Sequence, residues 1–133
     1  MLIIDDEEDM CDFLETVITD HLENDIKVVT STSTRDALHQ LENEKFQIVL
    51  TDLNMPGHSG YDIVKKALEK DKSMQVIFLT GDVQMSVALT CFRDGAAAML
   101  TKPIDPTNIL KVVCMCMERL DYWAEVFKKF SRS

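Results

Sequence analysis

Four short apolar runs in this chain each end in a polar residue suited to phosphate or hard-metal chemistry. Leu2, Ile3 and Ile4 lead into Asp5 and Asp6, while Ile48, Val49, Leu50 and Thr51 lead into Asp52. Val76, Ile77, Phe78 and Leu79 lead into Thr80, and Met99, Leu100 and Thr101 into Lys102 and Pro103. Apolar runs that do not alternate read as strands buried on both faces, as in a parallel sheet covered by helices. In such sheets the ligand crevice lies beyond the carboxyl ends of the strands. Acids, hydroxyl and ammonium from distant parts of the sequence are therefore expected at one sheet edge.

The intervening segments have helical spacing. Met10, Phe13, Leu14, Val17 and Ile18 predict a helix over about 8–23, ended by Asn24 and Asp25. Residues 26–30 read as a second strand, and Ser33 or Thr34 as the cap of a helix carrying Ala37, Leu38 and Leu41. A third strand covers 46–51, followed by a turn-rich loop over 52–60 with Asn54, Pro56, Gly57 and Gly60. Ile63, Val64, Ala67 and Leu68 form the next helix face. A helix over about 83–94 stops at Gly95, a fifth strand follows over 97–101, and Asp105 or Thr107 opens the last helix. Strands alternating with helices imply right-handed crossovers and an open, doubly wound α/β sheet with helices on both faces.

At 133 residues the chain fits one domain. Burial of roughly two-thirds of its unfolded surface supplies a core without disulfides or structural metal. The formal charge of −9 and pI of about 4.7 repel nucleic acid and anionic membranes, so direct binding to either is not expected. No apolar stretch approaches the roughly 20 residues that span a bilayer, and no signal-peptide pattern is present, so a cytoplasmic location is expected. Cys11, Cys91, Cys114 and Cys116 form no CxxC, and Cys114 and Cys116 point about 200° apart on a helix; reduced packing thiols are expected. His21, His39 and His58 share no ligand spacing and are assigned to the surface.

The last helix is longer than a sheet of this size can cover. Over about 106–130 it extends roughly 37 Å, whereas a five-residue strand is only about 17 Å long. Ile109, Val113, Cys116, Leu120, Trp123, Phe127 and Phe130 step by four and three, a heptad-type seam. Trp123, Phe127 and Phe130 are therefore expected to contact a second chain, as a homodimer, or the start of a further domain.

Five acids in a row, Asp5, Asp6, Glu7, Glu8 and Asp9, open the first helix. The helix dipole accounts for Glu7, Glu8 and Asp9. It does not account for an adjacent pair at a strand end, where two carboxylates repel unless a cation lies between them. With Asp52, the pair makes an all-oxygen donor set suited to Mg²⁺. Thr80 can donate to a phosphoryl oxygen, and Lys102 can pair with a carboxylate or with phosphate. In-line phosphoryl transfer to a carboxylate needs these parts: neutralised charge, positioning and no separate base.

These residues fall in four motifs: Ile3-Ile4-Asp5-Asp6-Glu7, Leu50 through Gly60 (Leu-Thr-Asp-Leu-Asn-Met-Pro-Gly-His-Ser-Gly), Phe78-Leu79-Thr80-Gly81, and Asp94-Gly95-Ala96 with Thr101-Lys102-Pro103. The set resembles the receiver domain of bacterial two-component response regulators over residues 1 to about 120, leaving 121–133 as an extension of the last helix. The resemblance implies a flavodoxin-like sheet of order 2-1-3-4-5 and Asp52 as phosphoacceptor. It implies Mg²⁺ (or Mn²⁺) bound by Asp6, Asp52 and the backbone carbonyl of Asn54, with Asp5 helping through water. Thr80 and Lys102 would hold the phosphoryl group, and Lys102–Pro103 would be a cis peptide. The donor would be a phosphohistidine on a sensor histidine kinase or histidine phosphotransfer protein. The protein would be a switch with slow self-dephosphorylation rather than an enzyme.

Met99 stands where the family usually has an aromatic that moves with the threonine, which makes Met99 the expected partner of Thr80 in switching. Asp82 overhangs the expected crevice. An FMN-binding flavodoxin needs a hydroxyl-rich loop after the first strand, where this chain has acids. An aspartate-based phosphohydrolase needs a further acid and a substrate-covering cap. The remaining alternative is a degenerate receiver acting as a constitutive binding module.

Overall fold

The computed structural model describes residues 1–22, 26–55, 60–81 and 84–131. Pro56, Gly57, His58, Asn24, Asp25 and Asp82, singled out above, lie outside them. In chain order the elements are β1 (Leu2–Ile4), α1 (Glu8–His21), β2 (Val29–Ser31), α2 (Thr34–Asn43), β3 (Ile48–Asp52), α3 (Gly60–Lys70), β4 (Gln75–Thr80), α4 (Met85–Arg93), β5 (Ala98–Thr101) and α5 (Pro106–Phe130). All strand pairs are parallel, in the order β2-β1-β3-β4-β5. This is the doubly wound, flavodoxin-like sheet expected from the sequence.

Local chemistry sets the element ends. The Ser33 hydroxyl caps α2 by accepting from the Asp36 N–H at 3.1 Å, and Asp105 caps α5 by accepting from Thr107 N–H at 2.8 Å, with Pro106 following it. Gly95 ends α4 at φ +95°, a conformation costly for residues with a Cβ. β2 is shorter than the apolar run around it because β1 offers only Leu2, Ile3 and Ile4 as ladder partners. β3 extends one residue further than expected, so that Asp52 is itself its last residue.

Side chains alternate across the sheet and divide the core in two. Ile3, Ile48, Leu50, Ile77 and Leu79 pack with Leu14 and Ile18 of α1 and with Ile109, Val113 and Cys116 of α5. Leu2, Ile4, Val49, Val76 and Phe78 pack on the opposite face with Ala37 of α2, Ile63 and Val64 of α3 and Cys91 of α4. Cys11, Cys91 and Cys116 are buried as free thiols, and Cys114 is half-buried. His21 and His39 are exposed.

α5 changes environment along its length. Ile109, Val113 and Cys116 are buried, Leu120 is half-buried, and Trp123, Phe127 and Phe130 are 46%, 63% and 69% exposed. The Trp123 and Phe127 rings lie 5.9 Å apart along this outer stripe.

Candidate functional site

The alternation that divides the core also selects the side chains that meet at the sheet edge. Ile3, Leu50 and Leu100 all belong to the face covered by α1 and α5. Asp5, Asp52 and Lys102 each lie two residues further on, and so project to that same side. The β1–β3 register sets Ile3 beside Leu50, and the β3–β4 register sets Asp52 beside Leu79. Thr80 and Met99 have the opposite parity. Thr80 ends β4, wholly buried, with its carbonyl accepting from Lys102 N–H at 2.7 Å. Met99 sits beside Phe78 in the ladder and packs, half-buried, against the core under α4.

Lys102 Nζ lies 2.8 Å from Asp5 Oδ2 and 3.3 Å from Asp52 Oδ2. Asp5 is fully buried and Asp52 nearly so. The other oxygen of each accepts a backbone N–H two residues on: Glu7 N–H to Asp5 Oδ1 at 2.9 Å, Asn54 N–H to Asp52 Oδ1 at 3.1 Å. Asp6 is exposed at the rim. One carboxylate oxygen from each of Asp5, Asp6 and Asp52 lies within 4.8 Å of the others. Three carboxylates against one ammonium leave a formal local charge of −2, which one divalent cation would cancel.

Burial pushes the Asp52 carboxyl above its usual range, assisted by the charge of Asp5 and opposed by the Asn54 N–H and Lys102. Burial also works against the Lys102 ammonium, but its hydrogen bond and attraction to Asp5, then Asp52, outweigh it and hold Lys102 above the ordinary lysine value. Lys102 is therefore a fixed cation at neutral pH, whereas Asp52 is a carboxylate kept short of full stabilisation.

The expected residues Asp5, Asp6, Asp52 and Lys102 are brought together, Asn54 touches the cluster through its N–H, and Thr80 adjoins it through the Lys102 backbone. Lys102–Pro103 is cis. Two neighbours escaped sequence reasoning. A Cβ on Gly60 would collide with the Asp52 carbonyl oxygen and come 2.8 Å from Thr51 Oγ1, so only glycine lets α3 start against the end of β3. Cys11 Sγ lies 3.5 Å from the Asp5 carbonyl, under the site, and burial followed by the Asp5 charge pushes its thiol up to about 11. Gly60 belongs to the turn-rich loop and closes the Leu50–Gly60 motif, but neither reveals its packing against Asp52; Cys11 carries no signal because its contact depends on α1 crossing β1.

The family model for the response regulator receiver domain matches residues 1–114. This chain belongs to that family. The receiver is 32% identical over 110 residues to the response regulator SaeR of Staphylococcus aureus, an alignment covering 83% of this chain and 46% of SaeR. The chain thus spans less than half the length of such relatives. A CheY-like receiver domain protein from Methanospirillum hungatei superposes with a TM-score of 0.81 at 25% identity, covering 93% of this chain and 94% of its own. The BeF3-activated receiver domain of DrrB, a Thermotoga maritima protein, gives 0.78 at 26% identity, covering 88% and 95%. No helix among the described residues is long and apolar enough to cross a membrane.

Proposed function

We propose that this receiver accepts a phosphoryl group on Asp52 from a phosphohistidine of a sensor histidine kinase or histidine phosphotransfer protein. The observation that carries the reading is the position of Lys102 Nζ between the buried Asp5 and Asp52 carboxylates, with Asp6 open to solvent beside them. An Asp52 oxygen forms the new P–O bond as the P–N bond breaks and its electron pair returns to the imidazole. Lys102 then pairs with the phosphoryl oxygens, and the Thr80 hydroxyl donates to them.

Asp5, Asp6 and Asp52 suit Mg²⁺ or Mn²⁺ by donor type and spacing, with Asn54 adding its carbonyl and water completing the shell. Once bound, the ion supplies charge neutralisation for the incoming phosphate. The added charge, nearly −2 at neutral pH, draws Thr80 and the segment after β4 inward. Met99, on the same face of the sheet as Thr80, repacks with it and alters the surface of α4, β5 and α5. The protein is a switch working in the cytoplasm, with slow hydrolysis at Asp52 as its reset. The extension over 121–133 lies outside the receiver proper and offers a contact face to a second chain.

Incubation with Mg²⁺ and acetyl phosphate should add the mass of one phosphoryl group, and Asp52→Asn should abolish the gain. Beryllofluoride, the activating group on the DrrB receiver, should shift Trp123 fluorescence in the presence of Mg²⁺. If neither reagent elicits a response, the site is degenerate and the domain acts as a constitutive binding module.

A further inference from the structure

Asp5, Asp52 and Thr80 are buried polar side chains of the site, and buried Ser31 donates its hydroxyl to the Ser33 carbonyl at 2.9 Å. Thr51, directly before Asp52, is buried without any exposure. Its ladder neighbours Ile4 and Phe78 belong to the core under α2, α3 and α4. Thr51 therefore points to the opposite face from Asp52 and Lys102, and its hydroxyl cannot touch a phosphoryl group held between them. A parallel strand buried on both faces favours Val, Ile or Leu at such a position. A hydroxyl there needs an acceptor. Thr51 Oγ1 has one: it donates to the Asp52 carbonyl oxygen at 3.0 Å.

That carbonyl lies where the sheet runs out. The β1 ladder ends with Ile4 beside Thr51, whereas the β4 ladder continues to Leu79 beside Asp52. Beyond it, Leu53 N–H still donates to the Leu79 carbonyl at 2.9 Å, and the Leu53 carbonyl accepts from Gly60 N–H at 3.0 Å. The Asp52 carbonyl is past the last β1 rung, and the Thr51 hydroxyl supplies a donor that the ladder no longer does. α3 closes over the same contact. A Cβ on Gly60 would collide with the Asp52 carbonyl oxygen and come 2.8 Å from Thr51 Oγ1. With the Asp52–Leu53 peptide held at its carbonyl and at its N–H, the Asn54 N–H reaches Asp52 Oδ1 at 3.1 Å. Oδ2 is left facing Lys102 at 3.3 Å.

We infer that Thr51 is a positioning residue for phosphoryl transfer. Its hydroxyl fixes the Asp52–Leu53 peptide and, through the Asn54 N–H, aims the Asp52 carboxylate so that one oxygen faces Lys102 and the incoming phosphorus. The inference rests on the reading of Asp52 as phosphoacceptor. Thr51 itself makes and breaks no bond to phosphorus. Removing the hydroxyl at constant shape frees the peptide to turn, and a displaced nucleophile loses rate rather than donor affinity.

Thr51→Val keeps the shape and removes the donor, Thr51→Ala is a second hydroxyl-free variant, and Thr51→Ser keeps the donor. With Mg²⁺ and acetyl phosphate, followed by intact mass, both hydroxyl-free variants should show a maximal rate about tenfold lower. Their half-saturating donor concentration should stay at the wild-type value, and Thr51→Ser should match wild type in both. In ion-free protein the Asn54 amide resonance should shift, and its hydrogen exchange quicken, in Thr51→Val and Thr51→Ala but not in Thr51→Ser. A hydroxyl that only stabilises the fold would lower the melting temperature and leave the rate of the folded fraction and the Asn54 amide unchanged. That result overturns the inference, as does a Thr51→Ser variant as slow as Thr51→Val. If wild type gains no mass, the phosphoacceptor reading falls by itself. The Asn54 amide then decides whether Thr51 aims the Asp52 carboxylate, and an amide unmoved in Thr51→Val overturns that role too.

Discussion

At the residue scale the site is a balance between two buried acids and one cation. Asp5 has no solvent exposure and is held by Lys102 at 2.8 Å. Lys102→Met would strand Asp5 and Asp52 without a counter-charge and should cost about 3 kcal/mol in denaturant unfolding. Asp5→Asn in that background should recover part of the loss. Asp52 responds differently to pH. Because burial raises its folded-state pKa, the folded protein holds this proton more firmly than the unfolded chain, and stability falls as pH climbs through the carboxylate range. In chelator-treated protein, Asp52→Asn should therefore melt higher than wild type at neutral pH. The gap should close as pH drops below the ordinary carboxylate value, which a thermal melt series would read.

At the element scale, one helix contains two regimes. Ile109 is fully buried against the sheet, whereas Phe127 is 63% exposed. Ile109→Ala should lose about 2–5 kcal/mol of unfolding free energy, while Phe127→Ala in dilute monomer should stay within about 0.5 kcal/mol of wild type. Much of this was legible from spacing. The apolar runs located all the strands, and the four-and-three stepping of α5 carried through to Phe130. The limits of β2 were not legible, because they depend on how far β1 offers partners rather than on β2's own residues. Parity is legible in the sequence once the strands are aligned: counting by two from Ile3, Leu50 and Leu100 puts Asp5, Asp52 and Lys102 on one side and leaves Thr80 and Met99 on the other. The glycine at 60 and the thiol at 11 owe their places to helix approach, which local sequence does not encode.

Over the whole molecule, a divalent ion at the proposed acidic edge would make folding and ion binding partners in one equilibrium. The described carboxylates suit a divalent ion only when β1 and β3 are aligned, so the unfolded chain offers no equivalent site. Saturating Mg²⁺ should therefore raise stability, by about 2.7 kcal/mol at a hundredfold excess over Kd. Asp6→Asn should remove most of that gain while leaving the metal-free melt nearly unchanged, since Asp6 is exposed and outside the core. A magnesium titration followed by differential scanning fluorimetry checks both halves.

The bond between Lys102 and Asp5 joins groups 97 residues apart. A nascent or proteolysed chain that stops short of β5 retains both buried acids and loses the ammonium that makes their burial tolerable. No fragment that stops before Lys102 then presents a finished pocket to a phosphate donor, so competence to receive a signal requires that synthesis has passed β5.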